Sequence, residues 1–234
     1  MAFNFKQFKV YDDRSSMKVG TDAVLLGAWA NAARADSILE IGCGSGVISL
    51  MMAQRFPGSR IDAIDIHAES VEQANENFKS SPWSGSLTAQ NISIQDLSKN
   101  HSSKYDLIIS NPPFFNDSLL PPDTLKRNAK HTASLTYHEL ITCAVNLLHE
   151  NGKIVLILPY DSRDAFINMA NEHGLFLSQE LIIYPTVDKA ANRFLSEWSR
   201  DQKKPGKKDL YIRNSYRNYT EEYKALTKDF YLAL

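Results

Sequence analysis

Nine consecutive residues, Ile38-Leu39-Glu40-Ile41-Gly42-Cys43-Gly44-Ser45-Gly46, restrict the fold of this chain more than any other stretch. An apolar strand, read over Ser37–Gly42, runs straight into a turn with glycine at every second position. Val47–Phe56 then follows with helical periodicity. Glycines in such a turn supply dihedrals closed to other residues and let a ligand approach the backbone closely. A strand, a glycine turn and a helix in this order form a nucleotide-type binding unit of an α/β sheet. The dinucleotide fingerprint G-x-G-x-x-G is not met, because glycine falls at position 46 and position 47 is Val. Glu40 just ahead of the turn would repel a pyrophosphate and suits a ligand that carries positive charge.

The rest of the chain keeps the alternation. Strands are expected at Arg60–Ile66, Leu87–Ile94, Tyr105–Ser110, Lys153–Leu158, Leu177–Tyr184 and Leu210–Arg213. Helices are expected at His67–Lys79, Tyr137–His149, Ser162–His173 and Thr220–Tyr231, with Gly152 and Gly174 as left-handed stops. Val24–Trp29 reads as a core helix. This pattern predicts a doubly wound α/β domain with a mostly parallel sheet covered on both faces. Leu177–Tyr184 and Leu210–Arg213 follow one another across a Lys/Pro/Gly-rich loop, which suggests an antiparallel edge. No internal repeat or linker divides the chain, so a single domain over 1–234 is expected. The long segment Asn111–Leu135 holds four prolines, and loops of such length within a compact domain are functional or disordered.

Composition excludes several classes. No apolar run reaches the ~18 residues of a membrane span, and the N-terminus lacks the blocks of a secretory signal. Cys43 and Cys143 do not form a metal-ligand spacing, and His131 has no Cys, Asp or Glu at ligand spacing, so no metal is expected. A reducing cytoplasm and a monomer are the expectations. Net charge is −1, yet between Lys189 and Arg217 nine basic residues face three acids, a local +6. That stretch, with Arg193, Lys203, Lys204, Lys207 and Lys208, reads as a phosphate-facing surface or as a solvated loop.

Two strand ends carry candidate ligands. Asp65 lies at the tip of its strand, where a carboxylate can accept both hydroxyls of a ribose; Asp62 falls earlier, away from that end. Asp96 is read at the end of the third strand, either holding an adenine amino group or capping a turn.

The G-x-G-x-G turn preceded by Glu40 resembles the first motif of class I methyltransferases. After the strand Tyr105–Ser110 comes Asn111-Pro112-Pro113-Phe114, and the N-P-P-[YF] motif stands at this place in members that methylate exocyclic or amide nitrogens. The chemistry accounts for the residues. An exocyclic amine delocalises its lone pair into the ring and is a poor nucleophile. The Asn111 side-chain oxygen and the Pro112 carbonyl can each accept one amine hydrogen, which favours a tetrahedral nitrogen. The prolines hold that carbonyl preorganised, and Phe114 offers a flat face to an extruded base.

Over essentially its whole length the chain resembles the bacterial family that N6-methylates adenine 37 in a valine tRNA. Phe5-Lys6-Gln7-Phe8, Met17 through Trp29, and Arg127 through Thr132 carry that resemblance, which weakens after about Lys189. It implies a seven-stranded, mostly parallel, Rossmann-like sheet with an antiparallel last strand, and S-adenosyl-L-methionine as cosubstrate. It also implies that residues 1–36 cover the cofactor and substrate over a core of 37–234, with Lys18, Thr21 and Asp22 folding over the methionine end. Glu40, Gly42, Cys43, Gly44, Gly46, Asp65, Ile66, Asp96 and Asn111 are the implied cofactor contacts.

The implied partner is a tRNA. Arg127, Lys130 and His131 are read as contacts to its phosphates or as ordinary solvated charges. Lys6, among Phe3, Phe5 and Phe8, belongs to an RNA surface or to an edge strand, the second favoured. Phe114 departs from the Tyr of many adenine enzymes; guanine-N2 methyltransferases of ribosomal RNA also use Phe. Three rivals are kept: guanine-N2 methylation, methylation of a protein glutamine, and RNA binding without catalysis. Glutamine enzymes usually carry a helical N-terminal domain, and only about 35 residues precede the glycine-turn strand here.

Overall fold

The computed structural model describes residues 2–32, 35–100, 104–112 and 135–233. Pro113, Phe114, Arg127, Lys130 and His131 lie outside the described residues. A two-stranded hairpin comes first, β1 (Phe3–Asn4) with β2 (Lys9–Val10), then α1 (Thr21–Trp29). The α/β alternation follows as β3 (Ser37–Ile41), α2 (Val47–Arg55), β4 (Arg60–Asp65), α3 (Ala68–Lys79), β5 (Leu87–Asn91), α4 (Ile94–Asn100) and β6 (Tyr105–Ser110). Beyond residue 134 come α5 (Tyr137–Leu147), β7 (Leu148–Pro159), α6 (Arg163–Glu172), β8 (Phe176–Thr186), β9 (Arg193–Ser199), β10 (Gly206–Arg213) and α7 (Glu221–Thr227).

Strands β3 to β10 form one sheet in the order β10-β8-β9-β7-β6-β3-β4-β5, apart from the β1–β2 hairpin. Side chains alternate between two apolar layers: Ile38, Val155 and Ile157 face α1, α2 and α3, whereas Leu39, Ile154 and Leu156 face α4, α5 and α6. Both faces are therefore dry, which is why the strands read as continuous apolar runs. The class expected from the sequence is found, a doubly wound and mostly parallel sheet.

Three details correct the sequence reading. Among the described residues the sheet has eight strands rather than seven, and the reversed strand is β9, not the last one. β9 pairs antiparallel with both β7 and β8, while β10 runs parallel to β8 at the edge. β9 is hard to read because it is buried on both faces and carries Glu197 in its interior, which destroys any two-residue alternation. Gly152 lies within β7 and has no positive φ. A Cβ there would come within 2.9 Å of the Tyr105 carbonyl, so glycine permits close strand approach rather than capping a helix. The third strand stops at Asn91, and Ile94 already belongs to α4. Gly174, by contrast, does end α6 with φ 71°, and the Leu175 N–H donates to the Ala170 carbonyl at 3.0 Å, as a Schellman cap requires.

The N-terminal aromatics are structural. Phe5 and Phe8 are buried and stack at 4.6 Å, and Phe5 bridges to Tyr231 across the molecule. Lys6 remains exposed and donates from Nζ to the Lys228 carbonyl at 2.6 Å.

Candidate active site

Register brings the chemistry together. Ile41 of β3 is opposite Ile64 of β4 and Ser110 of β6, and Asp65 is opposite Asn91. Gly42, Asp65, Asn91 and Asn111 thus leave the sheet side by side at its carboxyl edge, on strands about 4.8 Å apart. This is also where strand order reverses, the place at which open α/β sheets bind ligands.

Gly42, Gly44 and Gly46 all have positive φ, at 71°, 53° and 78°. The Gly42 and Cys43 N–H groups donate to the Ile64 carbonyl at 2.8 and 3.0 Å, and the Gly44 N–H to Asp65 Oδ2 at 2.9 Å. Asp65 also accepts from the His67 N–H through Oδ1 at 2.9 Å. Its carboxylate is buried at the strand tip, and each oxygen keeps a second acceptor site. Asp62 is used elsewhere, accepting from the Tyr105 hydroxyl at 3.0 Å. A Cβ on Gly42 would meet nothing within 4 Å, so the turn opens onto free space. Cys43 is no nucleophile: burial pushes its thiol pKa well up, and the nearby Glu40 and Asp65 add to that.

Two buried oxygens beside this turn have no hydrogen-bond partner among the described residues: Glu40 Oε1 and Asn111 Oδ1. Glu40 Oε2 accepts from the Ser49 N–H at 2.9 Å and from the Ser49 hydroxyl. Asn111 follows Ser110, whose hydroxyl is tied to the Ile41 carbonyl at 2.8 Å, and precedes the buried Pro112. An orphaned buried acceptor costs about 1–3 kcal/mol, and two of them beside one turn mark a place shaped for donors.

Burial raises the Glu40 carboxyl from an ordinary 4.5 to about 8, against the lowering by Ser49. Between those pH values the folded chain binds the extra proton and the unfolded chain does not. The stabilisation is therefore full below 4.5 and is lost as pH rises through about 8. The Tm of the free protein, measured against Glu40→Gln across this range, should fall with rising pH relative to the variant. Parallel profiles would contradict the assignment.

The segment before α1 crosses this edge as a strap. On one side the Tyr11 and Arg14 N–H groups donate to Asn77 Oδ1 and Gln73 Oε1 of α3, both at 3.0 Å. In the middle, the Ser15 hydroxyl would stand 3.0 Å from a Cβ on Gly44. Past its far end, in the first turn of α1, Asp22 Oδ2 is bound by Arg193 Nε of β9 at 2.8 Å. Thr21 and Lys18 are exposed, and Lys18 Nζ is 3.7 Å from Asp12 Oδ1.

The remaining residues singled out in the sequence are spread over both edges of the sheet. Asp96 sits in the first turn of α4, accepting from the Ser93 hydroxyl at 2.8 Å, the capping alternative of the sequence reading. Asn91 occupies the strand end instead and donates to the Asp65 carbonyl at 2.9 Å; counting strand register from Asp65 would have found it. Ile66, next to Asp65, is half exposed. Because β9 is reversed, Lys203 and Lys204 follow its end at the amino edge of the sheet, and Lys207 and Lys208 open β10 there. These four lysines are exposed at the opposite end from Asn111, whereas Arg193 is at the carboxyl edge in its pair with Asp22. Among the described residues no group of His, Cys, Asp and Glu could hold a metal ion, and no helix is long and apolar enough to cross a membrane.

A reversed strand beside β7, a glycine turn at the switch point and an asparagine at the next strand end are together the arrangement of a class I methyltransferase. The family model described as the methyltransferase small domain matches residues 14–163. A tRNA1(Val) (adenine(37)-N6)-methyltransferase from Phocaeicola vulgatus is 45% identical over 98% of this chain and 97% of its own. One of the same name from Pectobacterium carotovorum subsp. carotovorum is 40% identical over 98% and 93%. The chain belongs to this tRNA1(Val) (adenine(37)-N6)-methyltransferase family, within the methyltransferase small domain group. In fold it is similar to a solved structure described as a predicted O-methyltransferase from Agrobacterium tumefaciens. The TM-score is 0.69 at 16% identity, covering 89% of this chain and 96% of the other.

Proposed function

We propose that this chain transfers a methyl group from S-adenosyl-L-methionine to N6 of adenine 37 in tRNA1(Val), acting as a single chain in the cytoplasm. The observation that carries the reading is the buried, unpartnered Oδ1 of Asn111 next to the glycine turn. The residues present fit the cosubstrate. Asp65 has acceptor capacity for a ribose, Glu40 Oε1 is an unused buried oxygen whose carboxyl an adjacent ammonium would bring back toward the ionised form, and the turn is open at Gly42. Ile66 and Asn91 flank the same strand ends and suit the apolar face and edge of an adenine. When bound, the cosubstrate supplies an electrophilic methyl on a sulfonium.

The chain's own residues do the rest. Asn111 Oδ1 accepts one hydrogen of the target amine, and the Pro112 carbonyl takes the other. Both hydrogens drawn toward these acceptors localise the nitrogen lone pair, so no strong base is required beforehand. Phe114 gives the base a stacking face. Alignment of nitrogen with the methyl contributes most, where proximity is worth about 7–11 kcal/mol. A loop base is already largely unpaired, so its extrusion costs less than from a duplex.

The test is direct. Purified protein, cosubstrate and a tRNA1(Val) transcript are incubated, digested and examined by nucleoside mass spectrometry. N6-methyladenosine is expected, and a transcript with guanine in place of the target adenine should give none. N2-methylguanosine as the product, or no methylated nucleoside at all, would overturn the reading.

A further inference from the structure

The same carboxyl edge carries a second feature, four strands from Asn111 at its outer margin. Tyr184 of β8 and Tyr211 of β10 are register partners and stack with ring centroids 4.6 Å apart and planes 20° from parallel. Tyr211 is 36% exposed, so its outer surface is open. Tyr160, next after β7, lies within electrostatic range of Tyr184, so tyrosines occur from the neighbour of the catalytic strand out to the edge.

Beyond β10 the chain makes a closely bonded turn. Asn214 Oδ1 accepts from the Tyr216 and Asn218 N–H groups at 3.0 and 3.1 Å. The Arg213 guanidinium donates to the Arg217 carbonyl at 2.6 Å and lies 4.1 Å over the Tyr219 ring. Arg217 takes φ 65°, a left-handed conformation that is strained for a non-glycine residue. Held this way, Tyr216 is 82% exposed. Large aromatic surface in water on a rigid support fits a partner with flat faces of its own. Asp188 lies within electrostatic range of Lys189 and Arg217 and offsets part of their charge.

We propose that the Tyr184–Tyr211 stack and the Tyr216 turn form a stacking platform for unpaired RNA nucleotides flanking the target base. The inference rests on the RNA reading above and extends it. From β6 to β10 is four strand spacings, roughly 19 Å, a distance spanned by a few nucleotides of single strand. Base–aromatic stacking tolerates any sequence, so the platform positions the loop without selecting the base.

The test uses the full chain and a fluorescent hairpin bearing the tRNA1(Val) anticodon loop. Tyr216→Ala and Tyr211→Ala are each expected to weaken RNA binding by about tenfold. KM for RNA should rise accordingly, with KM for the cosubstrate unchanged. Tyr211→Phe keeps the ring and should bind as wild type. The slope of log affinity against log salt should not change in the alanine variants, since no phosphate contact is removed. Tyr216 has almost no packing to lose, so its variant stands even if Tyr211→Ala fails to fold. Wild-type RNA affinity in Tyr216→Ala would overturn the platform while methylation of adenine by the wild type stands. A wild type that neither binds nor methylates the hairpin removes the RNA reading, and the platform with it.

Discussion

Asn111→Ala is expected to lower turnover by about 10²–10³, the usual loss for one group that bonds the transition state. The carboxamide oxygen is buried without a partner among the described residues, and the strand that carries it is fixed by Ser110. Removing it takes away an acceptor needed only once the amine is in place. Cofactor affinity by calorimetry should stay near wild type, and so should Tm, because an orphaned acceptor is lost rather than a satisfied one. Asn111→Asp separates charge from geometry: it retains an acceptor oxygen and should recover part of the rate. Near-normal turnover in the alanine variant would dismiss the catalytic role.

Gly46→Ala is expected to damage folding and cofactor binding together. Position 46 has φ 78°, and a Cβ there would run into the Phe78 ring, with Ala74 Cβ at 3.3 Å. Left-handed strain of about 1–2 kcal/mol and overpacking of about 1–3 kcal/mol act at the same point. Phe78 is itself buried in the layer under α3, so it cannot simply swing aside. Chemical denaturation should show a loss of roughly 2–5 kcal/mol, with cosubstrate binding weakened at any temperature where the variant is folded. Gly42→Ala is the informative comparison. Its φ is similar but its surroundings are open, so it should lose stability only through strain. Equal losses at both positions would show that the Phe78 contact contributes nothing.

The parts of the molecule legible in the sequence are the local ones. The glycine turn, Asp65 and Asn111 are each read from a few neighbours in the chain, and parallel register then aligns them without further information. What escapes is long-range or hidden by burial. The pairing of Arg193 with Asp22 joins residues 171 apart, and nothing near either predicts the other. Glu197 in β9 is matched by Lys153 at 2.9 Å, a partner that only the folded sheet supplies, so a buried strand reads as a polar loop. Asp96, open in the sequence to two readings, is placed at a helix start for a local reason. Ser93 three residues earlier is a helix-start signal, and it ends the strand before Asp96 is reached.

The hairpin at the front of the chain has a consequence for the order of events during synthesis. Phe5 bridges to Tyr231, and the Lys6 N–H donates to the Phe230 carbonyl at 2.8 Å. Contacts spanning such a separation form late, because the intervening loop must close first. While a ribosome is still extending the polypeptide, β3 through β6 can collapse around the glycine turn and Phe8 can already meet Trp83, but the clasp of residues 5 and 6 onto the far end closes only once residues 230 and 231 emerge.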